Sequence, residues 1–355
     1  MSAHIAGMGW VTPLGAGLEE VWVRLIAGDT AEVKAIANPE TGRALAYAPV
    51  PMKLVEALGR NPRLRRSSAI SYFAVTAGLA ALENAGITMT PELAAQTAVV
   101  FAISSGGVAY TRRFYEQLVK QGANAASPLL FPETVYNAPA SHFAAQLGID
   151  GASYTLVGDA SVGLAALKFA EQLLDTSDLA QVVVVGSEEI DWVLCAAYRE
   201  WRLARGADGR GALLAEGAAA VVLAREGRVK IAALHDGVSV FRRAEAAVAL
   251  DCVFADLLAE RKADAVIGCA NGTFVDRAES AAIARHCPEA ATYFPKRAFG
   301  EALGASALMQ VIVGALALAK DEVPGAAQRG LAVKSALVST LGFNQQASGL
   351  VLTSA

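Results

Sequence analysis

The chain has 355 residues, enough for one large or two fused α/β domains, and its 54% hydrophobic content can supply a sizeable buried core. Its net charge of -4 is mild and argues against wholesale nucleic-acid binding, which usually needs a basic face. The four cysteines lack the close spacing of a zinc site or of a disulfide framework. We therefore expect reduced thiols in a cytoplasmic protein, and no metal site.

Two segments bear on targeting. The N-terminal stretch MSAHIAGMGWVTPLG has neither a basic region nor a continuous apolar run, so we expect no signal peptide. Residues 302–319 are uncharged and just long enough to span a membrane. This segment is rich in alanine and glycine, carries Ser306 and Gln310, and is closely bracketed by Glu301 and Lys320. We therefore predict a helix buried on all sides in an α/β core, and no membrane span.

Strands alternate with helices along the first 225 residues. In chain order the pattern predicts strand AHIAGMGWV, helix GLEEVWVRLIAG, a long helix over about 68–86, strand TAVVFAISS, helix RRFYEQLVKQG, and strands SYTLVG, AQVVVVGSEEI and GAAAVVLAREG. The short apolar runs are typical of strands buried on both faces of a sheet.

The remaining residues repeat this alternation. They predict strand RVKIAALHDG, helix AEAAVALDCVFADLLAERK, strand ADAVIGCANG, a helix over about 277–286, strand ATYFP, the long helix at 302, and a final hairpin from SALVSTLGF and ASGLVLT. Residues 1–225 and 226–355 therefore form two sequential α/β halves of one compact unit. This order predicts a layered fold with buried sheets.

Six motifs in order cover nearly the whole chain. They are IAGMGWVTPLGAGLEEVWVRLIAG, SPLLFPETVYNAPASHFAAQLGIDGASYTL, DGRGALLAEGAAAVVLA, CANGTFVDRAE, FPKRAFGEALGASA and STLGFNQQASGLVL. In this order they resemble the β-ketoacyl-acyl-carrier-protein synthases of the thiolase superfamily. The resemblance implies a thiolase-like layered α/β fold, in which two similar halves contribute sheets that sandwich buried helices. It implies no cofactor.

The departures from the family pattern fall on its catalytic positions. The family's nucleophilic cysteine corresponds to Ala160, and its two active-site histidines correspond to Asn271 and Glu301. Its lysine remains as Lys296, and its terminal-loop phenylalanine remains as Phe343. Beyond that phenylalanine, residues 344–346 replace the family's glycines and threonine.

These replacements remove the family's chemistry. A condensing enzyme needs a thiolate, made reactive by a helix N-terminus, to hold the acyl chain as a thioester. The methyl group of Ala160 cannot do this. Asn271 can still donate a hydrogen bond, but an ionised Glu301 cannot, and we expect its charge to repel a malonyl carboxylate. The sequence therefore predicts a family scaffold whose active site is vacated.

Other candidate groups have simpler interpretations. Ser161 is a possible substitute nucleophile, but no matching motif supplies it with a histidine. Cys269 lies in an apolar strand and fits a buried structural thiol. His142 precedes the nucleophile turn, and a hydrogen-bonded structural role is favoured for it.

The resemblance also implies partners. In the family, basic residues near Arg63, Arg65 and Arg66 help to dock the acidic carrier protein, although a solvated cluster at the start of a helix has the same pattern. Ketosynthases pair across a two-fold axis toward which the acyl tunnels run. In type II polyketide systems an inactive homologue, the chain-length factor, replaces one subunit and shapes the tunnel of its partner.

By position, six residues fall at this interface or on the tunnel. The interface residues are Ser104, Gly106 and Gly107, and the tunnel-lining candidates are Phe131, Thr134 and Val135. An equally simple interpretation makes the three candidates ordinary core residues beside an interface.

The sequence therefore predicts a non-catalytic ketosynthase homologue. It would pair with an active ketosynthase, serve type II fatty acid or polyketide synthesis, and set or permit acyl length. Its compact second half is closer to the partner subunits of polyene-pigment pathways than to those of aromatic polyketide pathways. Two alternatives remain open. One is an acyltransferase or decarboxylase that uses residues outside the family's set, and the other is a homodimeric acyl-binding or regulatory protein.

Overall fold

The computed structural model describes residues 3–326, 332–343 and 346–355. The strands are β1 His4–Val11, β2 Lys34–Ala37, β3 Ala44–Ala48, β4 Thr97–Ile103, β5 Ser153–Val157, β6 Gln181–Glu188, β7 Leu214–Ala215, β8 Gly217–Ala224, β9 Val229–Leu234, β10 Val238–Ser239, β11 Ala265–Ile267, β12 Ala291–Tyr293, β13 Ser335–Leu341 and β14 Gln346–Ser354. The helices are α1 Leu18–Ile26, α2 Ala69–Asn84, α3 Pro91–Ala95, α4 Val108–Gln121, α5 Ala138–Leu147, α6 Val162–Thr176, α7 Trp192–Glu200, α8 Ala246–Leu258, α9 Phe274–His286, α10 Pro295–Phe299 and α11 Ser306–Lys320.

One strand order occurs twice. In the first half the spatial order is β1-β8-β6-β4-β5, and in the second it is β9-β14-β13-β11-β12. If the five strands of each order are renumbered 1 to 5 along the chain, both halves have the spatial order 1-5-4-2-3. A short antiparallel pairing of β1 with β9 joins the two sheets. We propose to place the boundary of the halves between residues 225 and 226, in the turn from β8 to β9.

The two sheets enclose a layer of buried helices. Along β4, Val100 packs into a core that contains residues of α6 and α11 from both halves, whereas the neighbouring Phe101 packs against α2 and α5 on the opposite face. Successive side chains of a strand point to opposite faces, so apolar residues at consecutive positions bury both faces of the sheet. Helices α8 and α9 cover the outer face of the second sheet. This is the thiolase-like layered fold.

Helix α11 forms part of the central layer. Its residues from Ser306 to Leu318 are buried. Together with the turn at 303–305 it forms Leu303–Lys320, the one helical segment of the described chain that is long and apolar enough to cross a membrane. Its neighbour α6 approaches so closely that a Cβ atom added at Gly163 would lie 2.9 Å from the Cβ of Ala307. The apolar segment is therefore a core helix of this fold, as its sequence predicts.

Candidate functional site

The turn between β5 and α6 contains the position where the family's nucleophile is expected. Ala160 is buried in this turn, with 1% of its surface exposed, and α6 begins two residues later at Val162. The hydroxyl of Ser161 donates a hydrogen bond of 3.4 Å to the carboxylate of Asp159. In the described part of the chain no histidine hydrogen-bonds to Ser161, which therefore lacks the base that a serine nucleophile requires.

Four polar side chains of the second half form a network that we name the buried ion-pair cluster: Asn271, Lys296, Glu301 and Ser306. The Lys296 ammonium donates to Oε2 of Glu301 at 2.8 Å, and Nδ2 of Asn271 donates to the same oxygen at 2.8 Å. The Ser306 hydroxyl donates to Oε1 of Glu301 at 2.6 Å. The side chains of Lys296 and Glu301 are 2% and 0% exposed, so the pair is shielded from water.

The charges of this cluster balance. Burial lowers the pKa of Lys296, but the nearby Glu301, Cys269 and Glu279 outweigh burial, and the pKa lies above its usual value. Lys296 therefore stays protonated and neutralises the carboxylate of Glu301. The sequence predicts repulsion between Glu301 and a malonyl carboxylate, but the ion pair with Lys296 offsets the negative charge that this prediction assumes. The expected free donor at Asn271 is also engaged, because Nδ2 bonds to Glu301 and Oδ1 accepts from the Thr273 hydroxyl at 2.7 Å.

The main chain holds the cluster in place. The amide of Glu301 donates to the carbonyl of Leu213 at 2.7 Å, and its carbonyl accepts from the amide of Ala215 at 2.9 Å. The Ser306 hydroxyl accepts from the amide of Ala302 at 2.9 Å, at the entrance to α11. The backbone of Glu301 is thus held in place, and its carboxylate cannot turn toward a ligand without breaking the three side-chain hydrogen bonds that it accepts.

A cleft of about 640 Å³ opens beside the turn that carries Ala160, and we name it the aromatic cleft. Its lining includes Ser104, Asp159, Tyr198, Trp201, Phe241 and Phe343. The rings of Tyr198 and Phe343 meet edge to face, with centroids 5.8 Å apart. The retained Phe343 is thus part of this cleft, whereas Asn344 and Gln345 beyond it lie outside the described residues.

Tyr198 is a buried side chain in the wall of the aromatic cleft. Burial raises the pKa of its phenol, and the charges of Glu188, Asp159 and Glu301 raise it further. Asp159 adjoins Ala160 in the chain, and Glu301 belongs to the buried ion-pair cluster. Tyr198 and Asp159 line the aromatic cleft together, and the phenol stays protonated at physiological pH.

Glu188 is a buried carboxyl group that the sequence interpretation missed. Its side chain accepts hydrogen bonds from the amides of Ser104 and Ser105, and burial raises its pKa to about 8. A carboxyl with this pKa is mostly protonated at neutral pH and adds little negative charge to the cleft. The available signal was the pair Glu188 and Glu189 directly after the apolar run of β6, because carboxyl groups are rarely buried without a partner.

The structure brings together the two predicted interface segments. A Cβ atom at Gly106 would lie 3.2 Å from the ring of Tyr136, and one at Gly107 would lie 2.4 Å from the carbonyl oxygen of Glu133. Phe131 and Val135 are 55% and 39% exposed, so their interpretation as core residues is wrong. The hydroxyl of the half-buried Thr134 donates to the carbonyl of Phe131 at 2.8 Å.

The remaining predicted groups fall outside the site. Arg63, Arg65 and Arg66 are exposed in the turn before α2, and Arg63 donates to the carbonyl of Ala145 at 2.6 Å. In the described residues no group of three or more histidine, cysteine or acidic side chains could hold a metal ion. Cys269 is fully buried, and burial raises its thiol pKa well above the usual value, which makes it unreactive.

His142 has two neighbours but no catalytic arrangement. Its Nε2 atom lies 2.6 Å from a carboxylate oxygen of Glu133 and 3.1 Å from the Ser67 hydroxyl. A proton relay needs these partners on different ring nitrogens, as in a serine-histidine-acid triad. Because both approach the same nitrogen, the contacts fit the structural role that was favoured from the sequence.

Comparisons with known proteins agree with this geometry. The family described as "Beta-ketoacyl synthase, N-terminal domain" matches residues 3–228. A putative polyketide beta-ketoacyl synthase 2 of Streptomyces halstedii is 26% identical, over 91% of this chain and 86% of its own. A 3-oxoacyl-[acyl-carrier-protein] synthase 2 of Vibrio cholerae is 24% identical, over 52% of this chain. That alignment spans 45% of the Vibrio protein, about half of its length.

Solved structures share the fold at low sequence identity. The ishigamide ketosynthase/chain length factor superposes with a TM-score of 0.85 at 19% identity and covers 100% of this chain and 99% of its own. A complex titled AntDE:AntF, a type II PKS acyl-carrier protein with its ketosynthase bound to the hexaketide, gives a TM-score of 0.80 at 16% identity, with the same coverage of both chains. Because the family match spans more than half of the residues and the fold agrees throughout, the chain belongs to the β-ketoacyl synthase family.

Proposed function

We propose that the chain is a non-catalytic ketosynthase homologue that pairs with an active β-ketoacyl-acyl-carrier-protein synthase and shapes its acyl tunnel, as a chain-length factor does. It would act in the cytoplasm, without a cofactor, in type II fatty acid or polyketide synthesis, including that of polyene pigments. The family membership supports the ketosynthase-like role, and the site described above supports the loss of catalysis.

The observation that carries the proposal is that the polar groups of the site are hydrogen-bonded to one another and not free for a substrate. Ala160 offers no nucleophile, and the groups at the two histidine positions are bonded to each other and to Lys296. Decarboxylation of an extender unit needs free hydrogen-bond donors aimed at the developing enolate oxygen. In this cluster the ammonium and the amide donate to Glu301 instead, so they do not serve that role without breaking a buried ion pair.

The surface supports a partner. Strand β5 is the last strand of its sheet, and its residues from Ser153 to Val157 are exposed or half-buried. Helix α4 has no fully buried residue, and its Tyr115 and Val119 are exposed. We name the exposed apolar surface by its members: Tyr115, Val119, Leu129, Phe131, Val135, Tyr136, Tyr154 and Val157.

These members lie on connected elements. The rings of Phe114 on α4 and Phe131 are 5.7 Å apart, and Tyr136 covers Gly106 in the loop that leads into α4. Val157 lines the same cleft as Ser104. An unpaired strand edge and exposed apolar side chains favour association, because both are costly to leave in water.

Two solved structures name assemblies of this kind. The ishigamide structure is titled a ketosynthase/chain length factor, and the AntDE:AntF title names a ketosynthase in complex with an acyl-carrier protein. By analogy, we assign the active ketosynthase to the exposed apolar surface and the carrier protein to the arginines at 63, 65 and 66. The analogy is one of fold, since both identities are below 20%.

Reconstitution tests the proposal. The chain is co-purified with a ketosynthase encoded beside it, then incubated with carrier protein and malonyl donor, and product length is measured by mass spectrometry. Thr134→Trp should shorten the products because a larger side chain fills the tunnel end, whereas Phe131→Ala or Val135→Ala should lengthen them. Val23→Ala on α1 is the matched control, since Val23 is 64% exposed on another element.

The outcomes separate the candidates. If the ketosynthase makes the same products at the same rate without this chain, the length-setting role is wrong. Steady conversion of malonyl carrier protein by the chain alone would show an enzyme that uses other residues. A stable homodimer that binds acyl groups and ignores the ketosynthase would favour the acyl-binding regulatory protein.

A further inference from the structure

A second cavity is distinct from the aromatic cleft, and we name it the arginine cleft. It encloses about 820 Å³ between four segments: the hairpin of β2 and β3, the end of α7 with the loop after it, the turn at Arg243, and residues 272–274 directly after Asn271. Its volume lies in the range of small-molecule sites. Three of its residues also belong to the site described above: Leu203 and Arg243 line the aromatic cleft, and Thr273 donates a hydrogen bond to Asn271.

The cleft is strongly basic in a chain that is acidic overall. Five arginines line it: Arg43, Arg199, Arg202, Arg210 and Arg243. Two carboxylates, Glu200 and Asp208, also line it, which leaves an excess of three positive charges. Among the residues that the structure describes, none of the five guanidinium groups forms an ion pair.

The arginines are held by uncharged partners. Arg199 donates to the carbonyl of Ala204 at 3.3 Å, and Arg243 donates to the carbonyl of Trp201 at 3.1 Å. The guanidinium of Arg243 also lies 5.4 Å from the ring centre of Phe274. These contacts orient the groups, and the two carboxylates of the cleft compensate only part of their charge. Guanidinium groups bind phosphate oxygens through paired hydrogen bonds.

The loop after α7 is fixed to the opposite wall. The amide of Gly211 donates to the carbonyl of Gly272 at 3.0 Å, and the amide of Gly206 donates to the carbonyl of Arg210 at 2.8 Å. Arg202 has a φ of 57°, a left-handed conformation that is uncommon for residues other than glycine. The arginines are therefore presented from anchored turns, which lowers the entropy lost when a ligand binds.

Apolar residues complete the cavity. Leu45, Leu203 and Ala204 are buried in its wall, and Phe274 is half-buried beside them. A lone inorganic anion would contact the arginines but not the apolar wall. A phosphate attached to an organic group would contact both the arginines and the apolar wall. A flat protein surface would not enter a concave cavity of this size.

We propose that the arginine cleft binds a small organic di- or triphosphate. The charge count decides between phosphate classes, because a phosphodiester carries a single negative charge and a terminal phosphate about two. An excess of three positive charges matches the diphosphate better than the diester. The bound molecule lies beside Asn271 and the aromatic cleft, and its site is independent of any pairing with a ketosynthase.

Calorimetric titration of the full chain tests the proposal, with inorganic pyrophosphate and ATP as probes. We expect saturable one-to-one binding of ATP with a dissociation constant tighter than about 1 mM, and weaker binding of pyrophosphate, which lacks the organic body. The double substitution Arg202→Gln and Arg210→Gln should weaken both affinities by about tenfold or more. The matched control is the double substitution Arg60→Gln and Arg261→Gln, which removes the same charge at exposed positions outside the cleft. It should leave the affinities for ATP and pyrophosphate unchanged.

Three results would overturn the proposal. The first is absence of saturable binding of either probe, measured on the chain alone and in its complex. The second is an equal loss of affinity in the cleft variant and the control variant. The third is equal affinity for a simple phosphodiester, which would contradict the charge argument. All four arginines to be replaced are exposed, and the unfolding temperature of each variant, which we expect unchanged, verifies that it is folded.

Discussion

The buried ion-pair cluster and the exposed apolar surface differ in whether their side chains have partners within the chain. In the cluster, Glu301 receives hydrogen bonds from three side chains of the same chain. On the exposed apolar surface, Val119 is 84% exposed and Phe131 is 55% exposed. The polar groups of the cluster are bonded to one another, whereas the apolar side chains of the surface are left partly in water. This contrast is what the function proposed above expects of a chain that keeps an association surface and has lost its catalytic site.

Breaking the ion pair should produce the largest effect. Lys296→Met leaves the Glu301 carboxylate buried without a counter-charge, and loss of one partner of a buried pair costs about 3–5 kcal/mol. We expect the free energy of unfolding, measured by denaturant titration, to fall by that amount. The double variant Lys296→Met with Glu301→Leu should recover most of the loss, because two apolar side chains replace two charges. Equal losses in the single and double variants would show that packing, and not charge pairing, holds this region.

A charge on the exposed apolar surface should have the next largest effect. Val119→Asp places a carboxylate on α4, and we expect association with the ketosynthase to weaken by about thirtyfold, the cost of losing one central interface side chain. Val248→Asp on α8 is the matched control, since Val248 is a 67% exposed valine of the second half. Analytical ultracentrifugation or surface plasmon resonance measures both. Equal weakening by the two variants would remove the distinction between this surface and the rest of the molecule.

The pH dependence of stability should be smaller but measurable. The pKa values of Glu188 and Glu216 are raised by burial to about 8 and about 7, above the 4.5 of an ordinary glutamate. Between pH 4.5 and those values the unfolded chain has lost these protons while the folded chain keeps them. The free energy of unfolding should therefore fall as pH rises from 5 to about 8 and then level off.

Substitution identifies the group responsible. Glu188→Gln mimics the protonated carboxyl and should flatten the decline, whereas Glu92→Gln on an exposed helix start should not. Thermal unfolding at a series of pH values gives the slopes. A steeper decline in Glu188→Gln than in the parent chain would contradict the assignment.

Restoration of the nucleophile should have the smallest effect. Ala160→Cys places a thiol at the N-terminus of α6, which favours the thiolate, but supplies no imidazole for the extender half-reaction. We expect no detectable condensation when the variant is incubated with acyl and malonyl carrier proteins, even where mass spectrometry detects an acyl adduct on the new cysteine. Elongated product from this single change would mean that the cluster at Glu301 supports catalysis after all.

The fold could be predicted because its signals are local and ordered. The apolar run of β4, the small-residue turn at Ala160 and the long apolar stretch of α11 each indicate one element, and their order indicates the family. The assignment of Ala160, Asn271 and Glu301 to the family's catalytic positions rests on the same local motifs and stays a prediction.

The arrangement of the site could not be predicted. Lys296 and Glu301 are five residues apart, and their pairing depends on the turn at Gly300, whose φ is 90°, and on the backbone bonds of Glu301 to β7. The arginine cleft unites residues as distant as Arg43 and Arg243. Spacing along the chain carries no information about such long-range contacts, which arise only when the layers pack.

The contact between α6 and α11 limits how this chain can influence a partner. At Gly163 the two central helices approach so closely that even an alanine would collide with Ala307. Close-packed interiors transmit displacement and do not absorb it. The two central helices are therefore held at a fixed separation, and in the proposed role the product length would be encoded in the volume of the side chains that line the tunnel. A change of that length in evolution would then need only substitutions of these side chains, with no new movement of the two halves.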